Sequence, residues 1–219
     1  MYNYVKRLFD LVASLLGLLI LSPLFIVVMI LLKLSKEGEV FYLQERVGYK
    51  TEPFKIWKFA TMVKNSPNML TGSLTMRNDP RVTPIGRFLR KSKLNELPQL
   101  INVVIGNMSL VGPRPQMEVD FLAYPENIQK RIYNVKPGIT SLGSIIYRDE
   151  ESIISDAEDV HLFYKEKIAP HKGAVELWYQ DHASVLKDLF IIFLTLWVVV
   201  FPNSNMIDRV FKGLPKRDF

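Results

Sequence analysis

The longest feature of the hydropathy pattern is a run from Leu11 to Leu32, 22 residues without a charge. A straight helix of that length, at ~1.5 Å per residue, reaches roughly 33 Å and suffices to cross a bilayer core. The run is too long for the apolar part of a signal peptide and no small-x-small cleavage site follows it, so it is read as a segment that stays attached. Ser22-Pro23 falls in its middle. Pro23 has no amide hydrogen and its ring opposes the carbonyl of Leu19, so the helix is expected to bend or break there, with the Ser22 hydroxyl serving the freed carbonyl. Lys6 and Arg7 precede the run and Lys33 and Lys36 follow it, so the distribution of positive charge gives no direction of crossing. Two topologies stay open on these grounds: a kinked single span, or a broken helix that enters one leaflet and returns.

Beyond it the pattern changes period. Val40–Leu43 and Phe54–Phe59 are aromatic and β-branched runs around Arg46–Lys50, which reads as a hairpin with a basic turn. With Trp57 and Tyr49 beside Lys50, Lys55 and Lys58, it suits either the headgroup level or ordinary solvent. Asn65-Ser66-Pro67-Asn68, Thr71-Gly72 and Asn78-Asp79-Pro80 mark loops and a turn. Thr83-Pro84 opens a short helix that ends at Arg90 and Lys91. Pro98 is tolerated only in a first helical turn, which predicts Asn95 as N-cap, Glu96 as first helical residue, an apolar face of Leu97, Leu100, Ile101 and Val104, and a stop at Gly106.

Pro125 begins a helix to about Asn134, Lys136-Pro137-Gly138 is a turn, and Ile139–Tyr147 is read as extended, ending in Arg148. Ser155-Asp156-Ala157-Glu158 reads as a capping box for a helix to about Ile168, before Pro170. Leu189–Phe201 gives 13 uncharged residues, short for a span. The reading is a helix of about 185–201 in the interface or buried, with a second span as the alternative. Arg209, Lys212, Lys216 and Arg217 after it suit an anionic leaflet. His161, His171 and His182 lack metal spacing and are expected at the surface. No internal repeat is present.

Composition sharpens this picture. At 219 residues the chain suits one domain with attachments. A hydrophobic fraction of 48% beside 23% charged residues implies apolar surface facing something other than water. A net charge of +6 suits an anionic partner, whether nucleic acid, an anionic membrane or a phosphorylated small molecule. The absence of cysteine excludes disulfides, thiolate catalysis and thiolate metal sites.

Candidate chemistry concentrates between Arg90 and Pro115. Asn95 as cap with Glu96 in the first turn has a purely structural explanation. Yet Arg87, Arg90, Lys91 and Lys93 bring more positive charge than a capped helix needs, and the rigid Gly112-Pro113-Arg114-Pro115 turn fixes another guanidinium. Guanidinia at a helix start make a phosphate site. A carboxylate among them is a metal ligand or a nucleophile, since phosphate-rich substrates commonly arrive with Mg²⁺.

These motifs together resemble the bacterial sugar transferases of the small, monotopic phosphoglycosyl transferase kind. The resemblance runs through Lys6-Arg7-x-x-Asp10, Ser22-Pro23, Gln44-x-Arg46-x-Gly48, Lys58-Phe59-x-Thr61-Met62, Glu96-Leu97-Pro98-Gln99-Leu100, Gly112-Pro113-Arg114-Pro115 and Lys136-Pro137-Gly138-Ile139-Thr140. It implies a mainly helical α+β fold with an N-terminal re-entrant membrane helix (1–36) broken at Ser22-Pro23. A small hairpin and interfacial amphipathic helices would surround a catalytic core (37–219) at the cytoplasmic face of the bacterial inner membrane. The implied activity is transfer of a phosphosugar from a UDP-sugar to polyprenyl phosphate, with Mg²⁺ and release of UMP, at the first membrane step of glycan assembly. The partners are then a UDP-sugar, polyprenyl phosphate and an anionic leaflet, without nucleic acid and with room for a homodimer. Arg90, Arg114, Arg148 and Lys58 are expected to bind phosphate, Glu96 to hold metal or act as nucleophile, and Asn95 to orient donor or metal. Ser22, Pro23, Pro98, Pro113 and Pro115 are expected to shape the backbone. The 156–172 region is a candidate for sugar choice.

The chain departs from the family pattern at Asn95, where members carry the Asp that attacks the β-phosphorus, at Ala60 for a basic residue, and at Ser141 for Gly. An amide is a poor nucleophile. Four readings follow: Glu96 as nucleophile; direct attack by polyprenyl phosphate with Glu96 on Mg²⁺; an engineered Asp-to-Asn change; or an inactive relative that serves as scaffold or nucleotide-sugar binder. Ala60 beside Asn95 suggests a natural subgroup.

Overall fold

The computed structural model describes residues 2–66, 69, 78–155, 157–201, 204 and 206–219. Helix α1, Tyr2–Lys33, is 32 residues long, about 48 Å at ~1.5 Å per residue. Helical backbone continues on both sides of Pro23. The carbonyl of Leu19, which Pro23 cannot serve, accepts from Ser22 Oγ at 2.8 Å, so the lost backbone bond is replaced locally. By length and composition α1 suffices to cross a membrane.

Its first turns are tied to the rest of the chain by polar groups. Lys6 donates to Asp188 at 2.9 Å. Arg7 donates to the carbonyls of Val103 and Val104 at 2.6 and 3.0 Å. Asp10 accepts from Ser109 Oγ and the Leu110 amide at 2.7 and 3.1 Å. Further along, Phe25, Val28 and Leu32 bury themselves against Phe59 and Leu89. One flank of α1 therefore packs on the core at both ends, and the other leaves Leu19 and Ile20 71% and 73% exposed.

Strands β1 (Phe41–Val47) and β2 (Pro53–Phe59) form the antiparallel hairpin, with Gln44 opposite Ile56. β1 is longer than expected, because the pairing continues through Gln44 and Glu45 into Arg46 and Val47, which the pattern assigns to the turn; the chain reverses only at Gly48–Glu52. Helix α2, Pro84–Lys91, starts as expected, with Thr83 accepting from the Gly86 amide. Helix α3 is Gln99–Ile105 and closes on left-handed Gly106, φ 99°. Its buried face carries Gln99, Leu100, Asn102 and Val103, rotated from the expected apolar stripe. The loop at Asn65–Asn68 lies partly, and that at Thr71-Gly72 wholly, outside the described residues.

Strand β3, Ser109–Val111, pairs in parallel with β4, Gly138–Thr140. Helices α4 (Glu118–Phe121) and α5 (Glu126–Ile132) fill the connection. What was read as extended after β4 is helix α6, Leu142–Ile146. Ser141 causes the switch by accepting from the Ser144 amide at 2.9 Å. Helix α7, Glu150–Ser155, ends where a capping box was expected. The cap of α8 (Val160–Phe163) is Asp159, which accepts from the Leu162 amide at 2.9 Å. Asp156 lies outside the described residues.

Pro170 does not stop the chain's helical course. A π-helical stretch at Tyr164–Ile168 precedes α9, Ala169–His182, and admits the proline in its first turn. Helix α10, Val185–Val200, starts on Ser184. It buries Asp188, Ile191 and Leu194 and leaves Leu186, Phe193, Leu196 and Val200 exposed. At 16 residues it reaches only about 24 Å, less than a bilayer core. Helix α11 is Met206–Val210. His161 and His182 are exposed as expected. His171 is not a simple surface residue: its ring nitrogens meet Tyr147 Oη at 2.8 Å and the Pro215 carbonyl at 3.0 Å.

The fold is thus mainly helical α+β, with a long apolar N-terminal helix and two small sheets.

Candidate active site

A broad cleft opens among the hairpin, α2, the β3–α4 connection, α7 and α10. Lys58, Arg90, Asn95, Glu96, Arg114 and Arg148 all line it. The period-2 alternation of β2 puts Lys58 on the same face as Ile56, whose side chain is buried with Val103 and Met108. Lys58 is consequently drawn in with that face. Its strand is locked to α3 by Asn102, which accepts from the Trp57 amide at 2.9 Å and donates to the Lys55 carbonyl at 2.8 Å.

Glu96 reaches the cleft from a 3₁₀ turn, Leu94–Glu96, which starts at left-handed Lys93, φ 58°. Asn95 is therefore not the N-cap of α3. Pro98 holds the position before α3, and no side chain caps it. Asn95 is instead 7% exposed, and its Oδ1 has no hydrogen-bond partner.

Arg114 closes on Glu96 from the other wall. Its Nη2 donates to Oε1 at 2.6 Å and its Nη1 to Oε2 at 3.1 Å, a two-pronged pairing that fixes both groups. Pro113 and Pro115, both buried, restrict the backbone on either side. Tyr133 Oη donates to the Arg114 carbonyl at 2.9 Å and accepts from the Gln116 amide at 2.8 Å. Arg46 donates to the Pro115 carbonyl at 3.2 Å and is itself held by Gln44 Oε1. Sequence reasoning gave Arg46 and Gln44 no role beyond their motif. The signal was there: an arginine and a glutamine at i, i+2 share one face of a strand, and that face looks toward the site.

Electrostatics follow from this crowding. Burial by itself would push Glu96 up, but Arg114, and after it Lys58, more than reverse this and hold the carboxyl well below the usual carboxylate range. Burial pushes the Lys58 ammonium down to about 7, opposed by Glu96 and aided by Arg46 and Arg114. Lys58 Nζ stands 3.6 Å from Glu96 Oε1. Burial lowers Arg46 to about 10, with Arg114 adding to the effect.

The remaining expected phosphate binders are engaged elsewhere. Arg90 donates to Glu151 at 2.8 Å. Arg148 pairs with Asp149 and donates to the Val198 carbonyl of α10 at 2.8 Å. Glu150 pairs with Lys172. Ser22 and Pro23 are not among the lining residues, although Leu21 is. Among the described residues no three His, Asp or Glu side chains converge as a metal cage. The arrangement is a carboxylate held by a guanidinium and an ammonium, with two more guanidinia lining the same cleft, each on a carboxylate that an incoming phosphate can replace.

A family model described as bacterial sugar transferase matches residues 1–202. The exopolysaccharide production protein ExoY of Sinorhizobium fredii is 36% identical over 214 residues, covering 91% of this chain and 87% of the relative. The UDP-glucose:undecaprenyl-phosphate glucose-1-phosphate transferase of Escherichia coli is 37% identical over 196 residues, 88% of this chain but 39% of that longer protein. The undecaprenyl-phosphate galactose phosphotransferase of Salmonella typhimurium is 33% identical over 213 residues, 90% of this chain and 41% of the relative. With a family model over most of its length and a relative of similar size at this identity, the chain belongs to the bacterial sugar transferase family.

Proposed function

We propose that this chain transfers a sugar 1-phosphate from a UDP-sugar to undecaprenyl phosphate, releasing UMP, and so begins assembly of an exopolysaccharide or capsule. The observation that carries this reading is the clamp of Glu96 by Arg114 and Lys58 in a cleft lined elsewhere by apolar α10 residues, Ile192, Leu196 and Val199 among them. Charged walls suit a diphosphate, and an apolar wall suits a lipid tail. The activities for which the relatives are named agree with both substrates.

In this proposal Arg114 and Lys58 bind the donor diphosphate, Arg90 and Arg148 bind phosphate across the cleft, and Asn95 offers a neutral hydrogen-bonding group beside the reacting phosphorus. Mg²⁺ fits only together with the donor. Glu96 supplies one carboxylate whose oxygens keep lone pairs beyond those spent on Arg114, and magnesium commonly takes one or two carboxylates with phosphate oxygens and water. When bound it neutralises diphosphate charge that builds up during transfer.

The same proposal places residues 1–36 in one leaflet of the bacterial inner membrane and 37–219 on its cytoplasmic face, with 185–201 in the interface. Contacts from both ends of α1 to one body support this topology, since a bilayer-crossing helix separates its ends by about 30 Å of hydrocarbon.

Purified full-length protein in detergent or nanodiscs, given undecaprenyl phosphate, Mg²⁺ and a panel of UDP-sugars, should release UMP with at least one donor. Glu96→Gln should lower that rate by ~100-fold or more. A folded protein that turns over none of the panel overturns this reading in favour of a membrane-bound nucleotide-sugar binder, which the amide at Asn95 also suits.

A further inference from the structure

The reaction has a choice of nucleophile, and the cleft restricts it. Asn95 lines the cleft, 7% exposed, but an amide has no proton to lose and its oxygen shares electrons with nitrogen. Glu96 has charge but not freedom. Both of its oxygens accept from Arg114, and Lys58 lies 3.6 Å away. To attack, it would have to leave the fork and strand the half-buried guanidinium of Arg114 without its counter-ion.

The other acids on the cleft walls are paired as well: Glu39 with Lys64, Asp79 with Arg81, Asp149 with Arg148, Glu150 with Lys172 and Glu151 with Arg90. Asp120 is 8% exposed and its charge acts on Arg46 and Tyr164. The chain thus brings counter-ions to the cleft, and no unencumbered carboxylate to its centre among the described residues.

The acceptor brings what the chain lacks. A phosphate monoester is anionic near neutrality and needs no base to make it a nucleophile. The cleft also provides for two phosphate ligands at once. Arg114 and Lys58 stand at the hairpin side, whereas Arg148 is bonded to the Val198 carbonyl on α10, beside the apolar lining of Leu196 and Val199. A neutral side chain at position 95 keeps one negative charge out of a space that two anions must share, which Coulomb's law favours in a partly buried site.

Resting on the proposed function, we infer that this chain transfers the phosphosugar in a single displacement within a ternary complex, with no covalent enzyme intermediate. An oxygen of the acceptor phosphate forms the bond to the donor's β-phosphorus. The bond from that phosphorus to the bridging oxygen breaks, and its electron pair leaves on UMP. No proton transfer is required for balance. Asn95 is then a positioning residue, and Glu96 holds Arg114, and would hold a metal arriving with the diphosphate, rather than attacking.

The test follows label with the unmodified full-length protein, using the UDP-sugar that the panel identifies. In the absence of acceptor, radiolabelled UMP should enter UDP-sugar at a rate at least ~100-fold below turnover. Initial velocities with both substrates varied should give intersecting lines, and intact mass after donor alone should show no phosphosugar adduct. Exchange near the turnover rate, parallel lines, or an adduct on Glu96, Lys58 or any other side chain overturns the single displacement while leaving the function standing. Absence of turnover with both substrates overturns the function and this step together.

Discussion

Glu176 shows what burial does to a carboxyl whose partners are weak. It lies on α9, 1% exposed, and neither oxygen makes a hydrogen bond of good geometry, although the Ser141 hydroxyl and the backbone amides of Gly143 and Arg114 act on it. Burial pushes it up to about 7 from an ordinary 4.5, with Ser141 and Lys172 only partly offsetting this. The sign follows from proton binding. Between pH 4.5 and 7 the folded state holds a proton that the unfolded chain has lost, so stability falls as pH rises through that window. Glu176→Gln should flatten this slope and leave the variant more stable than the parent at pH 8, by on the order of 3 kcal/mol. Chemical denaturation at pH 5 and pH 8 measures it, and parallel pH profiles for the two proteins would contradict the assignment. Residues such as Glu176 are not legible in sequence, because nothing local marks a helical glutamate as buried. Asn95 was legible only in part. Pro98 announced a helix start, but α3 begins at Gln99 rather than Glu96, and the 3₁₀ turn that follows left-handed Lys93 puts Asn95 three residues too early to cap it.

Among the elements, the short parallel pair of β3 and β4 governs the site. Gly112 and Gly138 face each other so closely that a Cβ on Gly138 would meet the Gly112 nitrogen at 2.1 Å, and one on Gly112 the Lys136 carbonyl at 2.4 Å. Backbone, not side chain, fills that space. Gly138→Ala should push the strands apart, destabilise the fold by roughly 1–3 kcal/mol and displace the Gly112–Pro115 turn. Arg114 would leave Glu96 with it. Thermal melts together with donor KM test this, and wild-type values for both would refute the coupling. Elements with a strong period or cap, such as α2 and the hairpin, were readable in advance. Those set by tertiary context were not. Ser141 capped α6 out of an apparently extended run, the π-helical stretch before α9 absorbed Pro170, and Asn102 turned the inner face of α3 toward β2. The Ser141 cap is local but sits in an apolar, β-branched run that reads as a strand, Asn102 finds its partners some 45 positions away, and periodicity does not describe the π-helical stretch.

At the scale of the whole molecule, apolar flanks of α1 and α10 are exposed on elements that touch each other. Single cysteines at Tyr4 and Lys36 in the cysteine-free chain should react with an impermeant maleimide from the same side of the membrane in oriented vesicles, and labelling from opposite sides would reject the one-leaflet topology. Hydropathy found the apolar run but not its attachment. That information resides in Lys6, Arg7 and Asp10, three polar residues whose partners lie some 90 to 180 positions away. Their bonds have a geometric consequence. Asp10 is fastened to Ser109 and Leu110, and the same strand runs on into the turn that carries Arg114. In the proposed topology, the depth of the long helix in the lipid and the height of the guanidinium above that lipid are therefore one quantity. The protein would then act as a jig, holding the reactive plane at a set distance from the headgroups and admitting carrier lipids whose phosphates ride at that level.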